Sequence, residues 1–104
     1  MYMVIRRYGA KRGTIDELAR DVQQNFLPIA SNIQGFVSYE FMSEGDDAFC
    51  TVSVFESREG AAESTRRAAD YVRERFASRG VERRDVIEGE LVLHREAMFA
   101  GSGR

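Results

Sequence analysis

The sequence predicts a single α+β domain with the element order β-α-β-β-α-β. Three observations support it: four β-prone segments, two segments with apolar residues at helical spacing, and a turn cluster between the second and third strands. Right-handed crossovers in this order give a ferredoxin-like antiparallel sheet of four strands, ordered 4-1-3-2, with both helices on one face. The 104 residues are expected to form one domain over residues 1–97, followed by a flexible C-terminal tail at residues 98–104.

The first strand is predicted from residue 3 to residue 8, and the first helix follows it. Thr14 and Glu17 have the spacing of a capping box, in which each side chain bonds a backbone N–H at the helix start. Pro28 lacks a backbone N–H, so this helix should kink or stop near residues 26–27 and resume as a short turn.

Residues 36–43 and 48–56 are predicted to be paired strands joined by the turn residues 44–47. Apolar side chains fall on both faces of each strand. In the second strand, we expect Phe36 and Met42 on one face and Val37, Tyr39 and Phe41 on the other. In the third strand, one face is expected to hold Phe49 and Phe55, and the other Cys50, Val52 and Val54. Because two helices cover only one face, the second face predicts a homodimer formed through the sheet.

Ser57 is the expected N-cap of a second helix over residues 58–78, and Gly80 is expected to end it in the C′ position. The last strand is predicted over residues 86–94. The only histidine of the sequence, His94, lies at the end of that predicted strand.

Composition excludes several function classes. The net charge of −2, without a basic cluster free of acids, argues against nucleic-acid binding. No apolar run approaches the length of a membrane span, and the N-terminus does not have the pattern of a signal peptide. A single cysteine, Cys50, fits a reducing compartment, so the cytoplasm is the expected location. No metal-ligand cluster or phosphate-binding glycine loop is evident, so neither a metal nor a nucleotide cofactor is expected.

Three segments carry a family resemblance: residues 33–40 (IQGFVSYE), 53–61 (SVFESREGA) and 88–95 (EGELVLHR). Together they resemble the antibiotic biosynthesis monooxygenase-like domains of the dimeric α+β barrel superfamily. The resemblance implies a homodimer whose sheets pack face to face, with an apolar cleft between sheet and helices in each subunit. The group contains cofactor-free monooxygenases that act on polyketide-like aromatics, haem-degrading enzymes, and many small proteins with no known activity. The haem degraders rely on an Asn, a Trp and a His. This chain has no Trp, its first strand has no Asn, and Ser64 stands where the helix His is expected, so haem is not expected as a cofactor.

Candidate site residues follow from this resemblance and from the aromatic residues. A pocket at the sheet–helix interface is expected to be lined by Phe26, Phe36, Tyr39, Ser53, Phe55, Ser64, Tyr71 and Phe76. In a monooxygenase, an electron-rich substrate would form a carbanion that reacts with oxygen directly, with His94 or Tyr39 as proton acceptor. The alternatives are that the aromatic residues fill the core and that His94 is only a hydrogen-bonded residue at a strand end or interface. Cys50 is expected to be a small buried hydrophobic residue, not a nucleophile paired with His94.

Two functions therefore stay open: a monooxygenase or binder of small aromatic molecules, and a non-catalytic homodimeric module that is stress-associated or binds a ligand. A cleft of about 300 Å³ beside Tyr39, Ser64 or His94 would favour the first.

Overall fold

A computed structural model describes residues 1–97, and the predicted tail at residues 98–104 lies outside the described residues. Four strands form one antiparallel sheet in the order β2-β3-β1-β4, which is the predicted order read from the other edge. The strands are β1 (Tyr2–Gly9), β2 (Phe36–Ser43), β3 (Ala48–Phe55) and β4 (Glu82–Glu90). The predicted ferredoxin-like fold is confirmed. None of the helices within residues 1–97 is both long and apolar enough to cross a membrane.

The first helical region has three consecutive segments: α1 (Ile15–Asp21), a π-helical turn (Val22–Phe26) and α2 (Leu27–Ser31). Pro28 lies in the first turn of α2, where a missing N–H is tolerated. The helical residues do not stop at residues 26–27 as predicted; instead the π-helical turn ends there and α2 continues directly from it. The predicted capping box is wrong. The hydroxyl of Thr14 donates to the carbonyl of Lys11 over 2.7 Å and makes no bond to the helix N-terminus.

The second helical region consists of α3 (Arg58–Tyr71), a π-helical turn (Val72–Phe76) and a short 3₁₀ turn (Ala77–Arg79). Ser57 caps α3 as predicted, because its hydroxyl oxygen accepts the N–H of Gly60 over 3.1 Å. Gly80 ends this helical region with a φ of +84°, the left-handed conformation that favours glycine. The sequence predicted one continuous helix here and gave no sign of the π-helical turn.

Two hydrophobic clusters fill the space between the sheet and the helices. The larger lies under both π-helical turns and the smaller under the start of α3, around Phe55 and Ala61. Phe36 belongs to the smaller cluster, where its ring meets that of Phe55 edge-on at 5.8 Å. A bulge between Phe36 and Ser38 shifts the register, so the expectation that Phe36 faces away from Tyr39 is wrong.

The opposite face of the sheet, hereafter the outer face, is not covered by any helix of the described residues. Cys50, Val52 and Val54 alternate with the helix-facing residues of β3 and therefore lie on it, as predicted. Its apolar side chains at the sheet edges are open to solvent: Met42 is 55 % exposed and Ile87 is 56 % exposed.

β4 begins and ends four residues earlier than predicted, at Glu82 and Glu90 instead of residues 86 and 94. It is an edge strand whose residues are almost all exposed, so charged side chains at residues 82–85 are tolerated within it. Those charges resembled a loop in the sequence.

Candidate functional site

The larger cluster encloses a small cavity of about 20 Å³ between the middle of the sheet and the two π-helical turns. Six aromatic residues line it: Tyr8, Phe26, Tyr39, Phe49, Tyr71 and Phe76. Val22, Ala68 and Val72 complete its apolar wall, and Arg6 and Thr51 are its polar lining residues on the sheet. A volume of this size holds about one water molecule, whereas benzene needs a cavity of about 150 Å³. The cleft is therefore closed in this conformation.

Arg6 is the most unusual residue of the site. It lies on the helix-facing side of β1 and is 1 % exposed. Its guanidinium donates to the hydroxyl oxygens of Ser53 at 3.0 Å, Thr65 at 2.9 Å and Ser64 at 3.5 Å. All of these acceptors are neutral, and no carboxylate of residues 1–97 forms an ion pair with Arg6. Burial lowers the pKa of Arg6, the neighbouring phenol groups of Tyr8 and Tyr39 oppose this shift, and Arg83 acts in the same direction as burial.

Two polar atoms at this position lack a hydrogen-bond partner within the described part of the chain. They are the Nε of Arg6 and the hydroxyl oxygen of Thr51, and both are fully buried. Arg6 and Thr51 are direct register partners in the β1–β3 pair and both border the cavity. Buried polar groups in native proteins are almost always paired, so two orphaned groups side by side mark a site.

Two tyrosines adjoin Arg6 in the cavity wall. Burial raises the pKa of Tyr39 far above its ordinary value, although the neighbouring guanidinium of Arg6 opposes the shift. Burial likewise raises the pKa of Tyr8. A phenol with a raised pKa keeps its proton at neutral pH. Tyr39 is therefore suited to donate a hydrogen bond and poorly suited to the proton-acceptor role that the sequence suggested for it.

A polar clamp, a cluster of hydrogen bonds around Asp21, joins the two helical regions beside the cavity. The carboxylate of Asp21 accepts hydrogen bonds from Tyr71 and Asn25, from both Nε and Nη2 of Arg75 at 3.1 and 3.0 Å, and from Arg79 at 3.2 Å. Burial tends to raise the pKa of Asp21, but these hydrogen bonds outweigh it and lower the pKa to about 2. Burial and the bond to Asp21 raise the pKa of Tyr71 to about 12. The clamp thus fixes residues that directly precede both π-helical turns.

Most of the residues expected to line a pocket come together here. Phe26, Tyr39, Tyr71 and Phe76 border the cavity. Ser53 and Ser64 lie behind Arg6 and hold its guanidinium. Phe36 and Phe55 do not reach the cavity, because they pack in the smaller cluster. Arg6, Thr51 and Phe49 were not singled out from the sequence. The signal for Arg6 was its period-two position between Val4 and Tyr8, which places it on the buried face.

His94 lies outside the cleft. It follows the end of β4 in an exposed segment, and its Nε2 lies 3.3 Å from the carboxylate of Glu96. Within one copy of the chain, the structure does not bring His94 and Tyr39 into one site. Cys50 is buried on the outer face, and burial raises the pKa of its thiol, which disfavours the reactive thiolate.

The cleft does not fit haem bound through a helix histidine. Ser64, at the position expected for that histidine, donates to the carbonyl of Ala61 over 2.8 Å and accepts from Arg6. The hydroxyl is thus engaged behind Arg6, and no imidazole of residues 1–97 faces the cavity.

A second, larger depression of about 650 Å³ is an open surface groove between α2 and the start of α3. Its rim includes the exposed acids Glu56 and Glu59, and Glu63, which is paired with Arg66 and Arg67. Unlike the cleft, this groove contains none of the buried unpaired polar atoms found in residues 1–97.

The fold and the sheet–helix cleft define a ferredoxin-like α+β protein with a small internal site. Residues 1–73 match the antibiotic biosynthesis monooxygenase family, so the chain belongs to that family. No functionally curated protein sequence matches the chain.

Solved structures share the fold at low sequence identity. A protein of unknown function from Nitrosomonas europaea, NE2512, is similar with a TM-score of 0.73 and 19 % identity, over 92 % of this chain and 93 % of that one. A mutant of MhuD with two manganese protoporphyrin IX molecules per active site has a TM-score of 0.71 and 18 % identity, over 93 % and 100 % of the chains; MhuD is a haem degrader from Mycobacterium tuberculosis. The ActVA-Orf6 monooxygenase of Streptomyces coelicolor, in complex with nanaomycin D, has a TM-score of 0.65 and 13 % identity, over 91 % and 92 %.

Proposed function

We propose that the chain is a homodimer whose sheet–helix cleft binds a small aromatic molecule and serves as a cofactor-independent monooxygenase site. One observation carries the proposal: six aromatic side chains surround a void that also holds a buried, unpaired polar group of Arg6. Aromatic walls with a few placed polar groups are typical of small-molecule sites. Membership of the monooxygenase family supports the reaction type. The single cysteine supports a reducing compartment such as the cytoplasm.

The residues of the cleft have separable tasks in this proposal. The rings of Phe26, Phe49 and Phe76 hold the aromatic molecule and exclude water from it. Tyr39 donates a hydrogen bond to an oxygen of the bound molecule, since its raised pKa keeps it protonated. Arg6 stabilises negative charge that develops when the substrate loses a proton. Water takes up that proton before the rings close, and the resulting carbanion adds O2 to give a peroxide. The peroxide takes up a proton and loses water, which leaves one oxygen atom on the product as a carbonyl.

Ligand entry requires the rings to separate, because the closed void is far smaller than an aromatic ring. Both helices offer a place for this movement. Val22 and Phe26 belong to one π-helical turn, Val72 and Phe76 to the other, and all four border the cavity. Such π-helical turns occur often at functional sites.

The binding part of the proposal is tested by calorimetry with 2-naphthol as the probe. The variant Ala68→Leu places a larger side chain in the cavity wall and should abolish binding. Ala69→Leu, one residue along α3 and outside the cavity wall, is the matched control and should bind like the parent. Circular dichroism confirms that both variants are folded. Absence of binding by the parent chain contradicts the proposed function.

The reaction is tested separately by oxygen uptake with anthrone, an electron-rich aromatic molecule, in metal-free buffer. Uptake should exceed that of heat-denatured protein and should be lost in Ala68→Leu. Binding of 2-naphthol without any uptake would contradict the monooxygenase and leave the aromatic-binding site standing.

A non-catalytic dimeric module with a filled core is the second candidate function. The closed void of about 20 Å³ is the observation that favours it, being far below the 300 Å³ expected of an open site. Under this alternative neither 2-naphthol nor anthrone interacts with the cleft. The same two experiments therefore separate the candidates.

A further inference from the structure

The charge at the sheet side of the cleft has no counter-charge. Arg6 is 1 % exposed, its three hydrogen-bond acceptors are hydroxyl oxygens, and its Nε is unpaired within residues 1–97. A guanidinium stays protonated under all ordinary conditions, so the positive charge persists in the interior. The one charged group among the main influences on its pKa is Arg83, which is also positive.

A buried charge without a partner is strongly unfavourable for folding, and a side chain such as Met would fill the same space without that cost. No ion pair of residues 1–97 depends on Arg6. The position therefore contributes less to stability than an apolar residue would. A ligand that brings a negative charge would compensate the guanidinium.

The unpaired donors are placed together. The Nε–H of Arg6 and the hydroxyl of Thr51 belong to register partners on adjacent strands, and both residues border the void. Tyr39 also borders it. No acidic residue lines the void within the described part of the chain. The space of about 20 Å³ suits one oxygen-sized group, with the aromatic part of the ligand between the rings above it.

We propose that the ligand of this cleft is an aromatic anion, whose carboxylate or phenolate oxygen binds in the void between Arg6 and Thr51. This inference rests on the proposed function and specifies its ligand class. Charge-assisted hydrogen bonds of this kind are about twice as strong as neutral ones, so the anionic group is the main determinant of ligand choice.

The test compares 2-naphthoate with 2-naphthamide, two molecules of the same shape that differ in charge. We expect the carboxylate to bind about 10- to 100-fold more tightly than the amide, as hydrogen bonds between charged groups predict. In Arg6→Met this preference should disappear, while Arg6→Lys should retain part of it. Thr51→Val, which removes the second unpaired donor, should weaken 2-naphthoate more than 2-naphthamide.

A spectroscopic measurement on the unaltered chain guards against variants that fail to fold. The probe 4-nitrophenol changes its visible absorbance on ionisation, and the charged or titratable groups around it would be Arg6, Arg83, Tyr8, Tyr39 and Tyr71. Bound next to Arg6, it should be more ionised than in buffer at the same pH. This arm tests the phenolate, and 2-naphthoate tests the carboxylate.

The outcomes separate the two proposals. Equal binding of 2-naphthoate and 2-naphthamide, with no added ionisation of bound 4-nitrophenol, overturns the anion inference and leaves an aromatic-binding cleft in place. If neither the anionic nor the neutral probes bind, both proposals are overturned. A charge preference that persists in Arg6→Met places the anion site elsewhere.

Discussion

The Nη2 atom of Arg6 on β1 donates a hydrogen bond to the hydroxyl of Ser53 on β3 over 3.0 Å. Both side chains are almost completely buried. A hydroxyl oxygen offers a partial charge where a buried guanidinium ordinarily has a carboxylate. Arg6 is therefore an unfavourable choice for the stability of the core, which supports its proposed role in ligand binding.

Replacing Arg6 by Met should therefore leave the free energy of unfolding unchanged or raise it by up to about 2 kcal/mol, because a buried unpaired charge is removed. Urea denaturation measures this. Arg6→Lys is the matched variant that keeps the charge but offers fewer donors, and it should be less stable than Arg6→Met. A loss of more than about 2 kcal/mol in Arg6→Met would show that the guanidinium is structural.

Because of the clamp at Asp21, the free energy of unfolding is expected to decrease as the solution becomes acidic. The pKa of Asp21 is about 2 in the folded protein, below the ordinary value of about 3.9, so the unfolded chain takes up the proton first as the pH falls. Its contribution is complete above about pH 5 and is lost as the pH falls through about 2. We expect Asp21→Asn to cost about 1–2 kcal/mol near neutral pH, after allowance for solvent screening, and progressively less below pH 4.

Thermal unfolding of the parent and Asp21→Asn between pH 7 and pH 2 measures this difference. Asp46→Asn is the control, because Asp46 pairs with Arg12 at an exposed position. A difference between parent and Asp21→Asn that is independent of pH would mean that the carboxylate charge is not what holds the helices.

Gly60 lies in the first turn of α3, where the helix packs closely against Gln34 and Phe55. A Cβ atom at this position would approach the carbonyl oxygen of Gln34 to 2.9 Å and the ring of Phe55 to 3.0 Å. The contact with Gln34 is to a backbone atom, which cannot move aside as the end of a flexible side chain can. Gly60→Ala should therefore lower the free energy of unfolding by about 1–3 kcal/mol. Gly89→Ala is the control, with no atom within 4 Å of the added carbon, and should be neutral or slightly stabilising. Equal stability of the two variants would contradict this contact.

The outer face of the sheet is expected to form a homodimer. Light scattering at micromolar concentration should give twice the chain mass of 11.8 kDa. Ile87→Glu places a charge on this face at a position 56 % exposed in the single chain, so it should split the dimer without unfolding the monomer. Gln24→Glu adds the same charge on the exposed helical surface and should remain dimeric. A parent chain that is monomeric at this concentration would sink the prediction.

The sheet order was predictable because alternating strands and amphipathic helices leave few right-handed topologies. The face of Phe36 was not, because a bulge between Phe36 and Ser38 reverses the alternation on which the prediction depended. The start of β4 was missed for a different reason. An exposed edge strand needs no apolar residues, so Glu82 and Arg83 resembled a loop.

The candidate site was partly predictable as well. Aromatic residues on the two helices indicated where Phe26, Tyr71 and Phe76 meet the sheet, and Tyr39 was expected beside them although strand alternation placed it on the face opposite Phe36. Arg6 was missed because an arginine in a strand is usually solvent-exposed, and only its position between two buried neighbours indicates otherwise. The pairing of Arg6 with Thr51 depends on strand register, which a single sequence does not specify.

The location of the ligand in the cleft beside Arg6 is tested most directly by nuclear magnetic resonance during a titration with 2-naphthoate. The largest chemical-shift changes are expected at Arg6, Thr51 and the π-helical turn Val72–Phe76, with smaller changes in the surface groove around Glu56 and Gly60. Changes confined to that groove, or the absence of any change at millimolar ligand, would contradict the account.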